Sequence, residues 1–128
     1  MNATVKEWIG KAEGDYATAG RELRATESPN FDADCFHAEQ AVEKLMKAML
    51  IHLGVTPLRT HDLVVLDKLL MPACPDWSWP VEELRLLTRA AVDFRNPGES
   101  ADSEEASGAF EAATRLRAKL RLLFGISV

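Results

Sequence analysis

The sequence predicts an all-α fold, an up-and-down bundle of about five helices. Three observations predict it. Apolar residues recur at spacings of three and four along most of the chain, and no stretch alternates with period two for long. Clusters of breakers, at Ser28-Pro29-Asn30, Gly54 to Pro57, Pro72 to Pro80 and Asn96-Pro97-Gly98, cut the chain into segments of helical length. The 128 residues suit one core, so residues 1–128 are read as a single domain.

The first helix is expected over residues 4–24. Trp8, Ala12, Tyr16, Ala19 and Leu23 fall on one stripe. Gly10, Gly14 and Gly20 interrupt it, each costing about 1 kcal/mol relative to Ala. Gly10 and Gly14 share a face, so either another helix approaches there or tertiary packing rescues a weak helix.

The second helix begins near Asn30 or Asp32, both suitable caps, and runs to residue 53. Its stripe is Cys35, Ala38, Val42, Leu45, Met49 and Leu53. Glu39 and Glu43 repel across one turn, whereas Glu43 and Lys47 attract. Gly54 suits a left-handed C-terminal residue, and Pro57 prevents resumption.

Thr60 is read as the cap of a shorter third helix over residues 61–71, with Leu63, Leu66 and Leu70 inward. The proline-rich loop after it holds Trp77 and Trp79, which suggests a packed lid over the end of the bundle. The fourth helix is expected over residues 80–94, with Pro80 in its first turn. Val81, Leu84, Thr88, Ala91 and Arg95 share its stripe. Asp102 and Glu105 resemble a capping box for a fifth helix over residues 103–124. Ala106, Ala109, Ala113, Leu116, Leu120 and Leu123 line its inner side. Arg115, Arg117, Lys119 and Arg121 gather near its C-terminal end, where a solvated, dipole-matched face is the default reading.

Composition narrows the function. Fifteen basic against 20 acidic residues give a net charge of −5 and a pI near 5.2, which argues against bulk electrostatic nucleic-acid binding but leaves room for a local basic patch. No apolar run is long enough to span a bilayer. The first residues lack the pattern of a secretory leader, so the simplest location is cytoplasmic. Cys35 and Cys74 are not in a CxxC and read as small buried residues. The nine aromatics, together with the glycine-bearing face, suggest more apolar surface than one bundle buries, hence a dimer.

Few chemical motifs are present. His37 and His52 lie more than about 20 Å apart on one helix and cannot share a metal. There is no HExxH, Glu-x-x-His, phosphate-binding glycine loop or nucleophile elbow. No metal or cofactor is expected. His61-Asp62, at the start of a helix, reads as structural. Arg95 is the exception: it is in phase with the inner stripe just before Asn96-Pro97-Gly98 ends the helix. A guanidinium placed there needs carboxylates, carbonyls or an anion. It is either tied up in a salt bridge or in capping carbonyls, or it is a phosphate or nucleotide contact.

Four elements in order carry a resemblance: Cys35-Phe36-His37-Ala38-Glu39-Gln40-Ala41-Val42-Glu43-Lys44, Lys47-Ala48, Thr60-His61-Asp62-Leu63 and Arg95-Asn96-Pro97-Gly98. Together they resemble the HEPN family (higher eukaryotes and prokaryotes nucleotide-binding) over nearly the whole chain. The resemblance implies a helical bundle that forms homodimers. Many members are metal-independent ribonucleases, often toxins of toxin–antitoxin systems. Their motif is an Arg, commonly followed by Asn, Asp or His, with a His after four to six further residues. Arg95-Asn96 matches its start, but Ser100, Ala101 and Asp102 occupy the histidine positions, and no histidine follows His61. The chain thus resembles the branch that accompanies a minimal nucleotidyltransferase. The expected function is a non-catalytic nucleotide- or partner-binding module using Arg95 and Asn96. The alternative is a ribonuclease with a rearranged site of Arg95, Asn96 and His61.

Overall fold

The computed structural model describes residues 1–127 and contains five α-helices, with no strand among the described residues. They are α1 (Ala3–Arg24), α2 (Phe31–His52), α3 (Leu63–Ala73), α4 (Val81–Asp93) and α5 (Ser103–Phe124). All five expected helices are present, and their bounds shift by only a few residues.

Caps explain most of the bounds. Asn30 accepts from the backbone N–H of Ala33 and starts α2. Asp102 and Glu105 form a reciprocal capping box at α5. At α3 the cap is Asp62, not Thr60: its Oδ1 accepts from Val64 N at 2.9 Å, whereas the Thr60 hydroxyl accepts from Asp62 N. Asp62 serves because a carboxylate suits the exposed donors and positive end of a helix. Past α2, Gly54 adopts φ +80°, a conformation that costs a side-chain-bearing residue more than glycine.

Helix α2 occupies the centre and touches all four others. Its buried apolar residues cover more than half of its circumference: Cys35, Ala38, Ala41, Val42, Leu45, Met46, Ala48 and Leu50 are each at most 1% exposed, whereas Phe36, His37, Gln40 and Lys44 share a half-buried face. Cross-helix contacts give the directions. Trp8 meets Lys47 and Asp15 meets Lys44, so α1 and α2 are antiparallel. Glu13 meets Arg121 and Tyr16 meets Thr114, so α1 and α5 are antiparallel as well. Helices α2 and α5 are therefore parallel, with Ala101 near Asp32 at one end and Phe124 near His52 at the other. Helix α4 runs against α5, with Glu83 on Arg115. Among the described residues no helix is long and apolar enough to cross a membrane.

Several local expectations change. The buried residues of α1 are Val5, Ile9, Ala12, Ala19 and Gly20; of the expected stripe Ala12 and Ala19 are buried, Trp8 and Leu23 pack partly buried against the core, and Tyr16 stacks on Phe110. Gly10 and Gly14 are exposed and face open space; the closely approached glycine is Gly20, under the Phe110 ring. Leu53, at the C-cap of α2, is 38% exposed, as is Val81 at the start of α4. None of the nine aromatics is fully exposed, because Trp77 is buried and the others pack at the core's edge. The exposed apolar surface is aliphatic instead, at Leu58, Met71, Leu86, Val92 and Leu122. The basic end of α5 is not simply a solvated face. Arg117 and Arg121 both clamp Glu13 at 2.9 Å, and Arg115 holds Glu83. Cys35 and Cys74 are free and buried as expected.

The loop after α3 is packed. Trp77 stacks on Trp79 and donates its indole N–H to the buried Asp67 at 2.8 Å. The lid reading of this loop agrees with that contact.

Candidate functional site

The end of α4 turns sharply. Phe94 is the C-cap, Arg95 N donates to Val92 O, and Asn96 Nδ2 reaches the same carbonyl. Gly98 at φ +94° completes the reversal. Arg95 therefore lies beyond the helix and is exposed, contrary to its expected inward placement. Periodicity misplaced it because the helix stops at Asp93, two residues earlier. The reading of Arg95 as a buried ion-pair partner is likewise overturned.

Its guanidinium carbon instead sits 5.4 Å from the ring centroid of Phe36 in the first turns of α2. Among the described residues no carboxylate lies within ion-pair distance of it. An arginine over an aromatic face is held by cation–π attraction while its N–H edge stays available. That edge is the fork which matches a phosphate or carboxylate.

Further along α2 lies a polar cluster in an apolar setting. Glu43, with its side chain 3% exposed, receives Lys47 Nζ at 3.2 Å on one oxygen. Its other oxygen is 3.0 Å from His61 Nδ1. Glu39 is also buried, and Gln40 Nε2 reaches both carboxyls. Burial, followed by the charge of Glu43, pushes the Glu39 carboxyl far above the usual range. Glu39 is thus held neutral beside the Glu43 carboxyl. The His61 side chain is 78% exposed, so its second nitrogen faces solvent.

The 100° step of a helix places Phe36, Gln40, Glu43 and Lys47 along one stripe of α2. Phe36 carries Arg95, and Glu43 carries His61. Arg95 and His61 thus contact α2 residues seven apart on one stripe, about 10 Å along the helix axis at about 1.5 Å per residue. Asn96 faces solvent beside Arg95.

The other histidines are elsewhere. His37 bonds Asp15 of α1 at 2.7 Å, and Asp15 also holds Lys44. His52 packs near Phe124. No group of three or more potential metal ligands occurs among the described residues. The thiol of Cys35 is pushed up to about 12 by burial and by Asp34, Asp32, Glu105 and Asp102 around it, which leaves it inert at neutral pH.

Sequence reasoning missed Phe36, Glu39 and Glu43 as parts of this site, having placed carboxylates on helix surfaces. One signal was available: on the helical wheel Glu39 and Glu43 fall at the flank of a wide apolar stripe, next to Met46 and Leu50, so they are drawn toward burial.

No curated protein matches the chain. The crystal structure of TT1696 from Thermus thermophilus resembles it with a TM-score of 0.74 and 20% sequence identity. The likeness covers 92% of this chain and 96% of that one, and at such identity it establishes the fold alone. The HEPN domain model matches residues 5–123, and on that match the chain belongs to the HEPN domain family.

Proposed function

We propose that this chain is a non-catalytic HEPN module that binds a nucleotide phosphate or an RNA backbone segment at Arg95 and Asn96. The observation that carries the reading is the exposed Arg95 guanidinium, held over Phe36 and free of any ion pair among the described residues. Holding the cation on a ring lowers the ordering cost of meeting an anion. The missing histidine at Ser100, Ala101 or Asp102 supports binding without cleavage.

In the same reading the module is the helical component of a two-component system with a minimal nucleotidyltransferase. It forms a homodimer that brings two Arg95 ledges toward one cleft. Exposed Leu86 and Val92 on α4 offer apolar surface for that contact. Light scattering is expected to give twice the chain mass at micromolar concentration; a monomer overturns the dimer. Calorimetry with nucleotides and short RNA tests the site. Arg95→Ala is expected to weaken binding by at least about tenfold, the order of one charge-assisted contact. Equal heats, or none with either protein, overturn it.

One observation favours the alternative, a metal-independent ribonuclease of toxin type. Glu43 beside Nδ1 of His61 leaves the other nitrogen free, an arrangement that suits proton transfer. Arg95 would then stabilise the phosphorane and His61 move a proton. RNA cleavage in the presence of chelator, lost in Arg95→Ala and His61→Ala alike, would replace the binding-only reading.

A further inference from the structure

We infer that the first turn of α2 is a proton-controlled latch on residues 95–101: a neutral Asp34 carboxyl keeps it closed, and ionisation of Asp34 releases the turn that follows α4. This holds whatever Arg95 binds.

Asp34 is an unsatisfied group in a sealed place. It is completely buried in the first turn of α2, and neither carboxyl oxygen has a hydrogen-bond partner. Buried polar atoms are nearly always paired, and an unpaired carboxylate there costs far more than an unpaired carboxylic acid. The surrounding charges add to that cost. Glu22 faces Asp34 from the end of α1. On α2 its neighbours are Asp32 and Cys35, and Asp102 and Glu105 at the start of α5 act on the same Cys35. None of these groups is a cation. The Arg24 guanidinium lies over Gly20 beside Phe110, and among the described residues no basic group comes within ion-pair distance of Asp34. A proton makes the buried carboxyl tolerable; losing it drives the group toward water.

The same stretch of α2 grips the segment after α4 at two points, one on either side of Asp34 in sequence. Asp32 Oδ1 accepts from Ala101 N at 2.7 Å, and Phe36 lies under the Arg95 guanidinium. Between those points the segment has long backbone bonds, Asn96 N to Asp93 O at 3.4 Å and Glu99 N to Asn96 O at 3.3 Å. The entry to α2 is able to yield. Ser28, in the turn before it, has φ +47°, a left-handed conformation unfavourable for a residue with a side chain. A surface hollow of about 380 Å³, lined in part by Ser28, Asn30, Asp32, Ser100 and Ala101, lies where this turn meets the segment, one helical turn from Asp34. Water is therefore close to the carboxyl, and an outward shift of the first turn of α2 strains both grips.

Burial, and then Glu22, raise the Asp34 carboxyl from 3.8 to about 7. Closure is thus fully favoured below about pH 3.8 and weakens, by up to about tenfold per pH unit, until pH passes about 7.

Hydrogen exchange followed by NMR on the intact chain tests the latch, with rates expressed as protection factors so that intrinsic exchange cancels. Protection of the Arg95, Asn96, Glu99 and Ala101 amides is expected to fall at least about tenfold between pH 5 and pH 7 and to stay below that of Leu45 and Leu116, which marks local opening. Asp34→Asn abolishes the fall. Glu22→Gln, which keeps an oxygen for Asn30 N, reduces it and provides a second variant should Asp34→Asn not fold. Glu39→Gln leaves it in place. Segment protection that does not change with pH, a fall that persists in Asp34→Asn or is untouched by Glu22→Gln, or exchange as slow as that of Leu45 and Leu116 overturns the latch.

Discussion

Nδ1 of His61 lies 3.0 Å from Oε1 of Glu43, joining the entry of α3 to the middle of the buried central helix. The imidazole is in solvent and the carboxylate is not. Lys47 lies 3.2 Å from the other Glu43 oxygen, and the neighbouring Glu39 carboxyl is raised by its burial and then by the charge of Glu43. Two carboxyls one turn apart in a low-dielectric site do not both ionise.

Glu39 therefore makes stability pH-dependent. Its folded-state pKa is raised, so the folded protein binds more protons than the unfolded one above the ordinary carboxyl pKa. Stability contributed by the neutral group is fully present below about pH 4.5 and declines as pH rises toward the folded value. Glu39→Gln keeps the shape and removes the proton. We expect it to raise the melting temperature at pH 8 by several degrees, on the order of 1–2 kcal/mol, and to leave it nearly unchanged at pH 4.5. Melting curves that remain parallel to wild type across that range would contradict the shared-proton arrangement.

Asp34 gives a second, independent window. It is fully buried, neither carboxyl oxygen has a hydrogen-bond partner, and its pKa is raised to about 7 by burial and then by Glu22. The sign is the same as for Glu39: its contribution is complete below about pH 3.8 and lost as pH rises through about 7. Asp34→Asn is expected to stabilise the fold at pH 8 and to do little at pH 4. Because Asp34 and Glu39 share no partner, Glu22 facing the one and Glu43 the other, the two substitutions should add. The double variant's melting temperature, measured at pH 8, checks this.

The sequence made the helices legible because each has its own stop and start. Gly54 with Pro57, and Asn96-Pro97-Gly98, act locally, and so does the Asp102–Glu105 capping box. The site was legible only in part. Arg95 stood out by position, but its direction depended on α4 ending at Asp93, and a helical wheel carried past a terminus loses its meaning. Phe36 read as one more apolar residue beside Cys35, since its role comes from a partner fifty-nine residues away. Glu43 and Lys47 were found as a pair by their spacing, yet their burial depended on α2 being surrounded by all four other helices.

Trp77 and Asp67 provide a test of the lid. Asp67 is 2% exposed, and Oδ1 accepts the Trp77 indole N–H. Trp77→Phe keeps much of the apolar bulk but strands a buried carboxylate. The expected loss is about 2–4 kcal/mol, from a missing hydrogen bond to a charged group and from packing beside Trp79. Trp77→Phe combined with Asp67→Leu should recover part of it, since neither polar group then remains. Chemical denaturation of the single and double variants measures the coupling.

Arg95 is the position where stability and function separate. The guanidinium is exposed, lies beyond the last helical residue and touches Phe36 through a cation–π contact worth about 0.5–1 kcal/mol at such sites. Arg95→Ala should therefore shift the melting temperature by only a few degrees. Arg95→Lys retains the charge, but its ammonium has no planar fork to present to a phosphate once placed over the ring. If the edge of the guanidinium is what meets the ligand, Lys will preserve stability and fail to restore binding. If net charge alone attracts the ligand, Lys will bind as well as Arg, and raising salt will weaken both to the same degree. Titrations of the two variants at low and moderate ionic strength distinguish the outcomes, and full rescue by Lys would refute a shaped anion site at the end of α4.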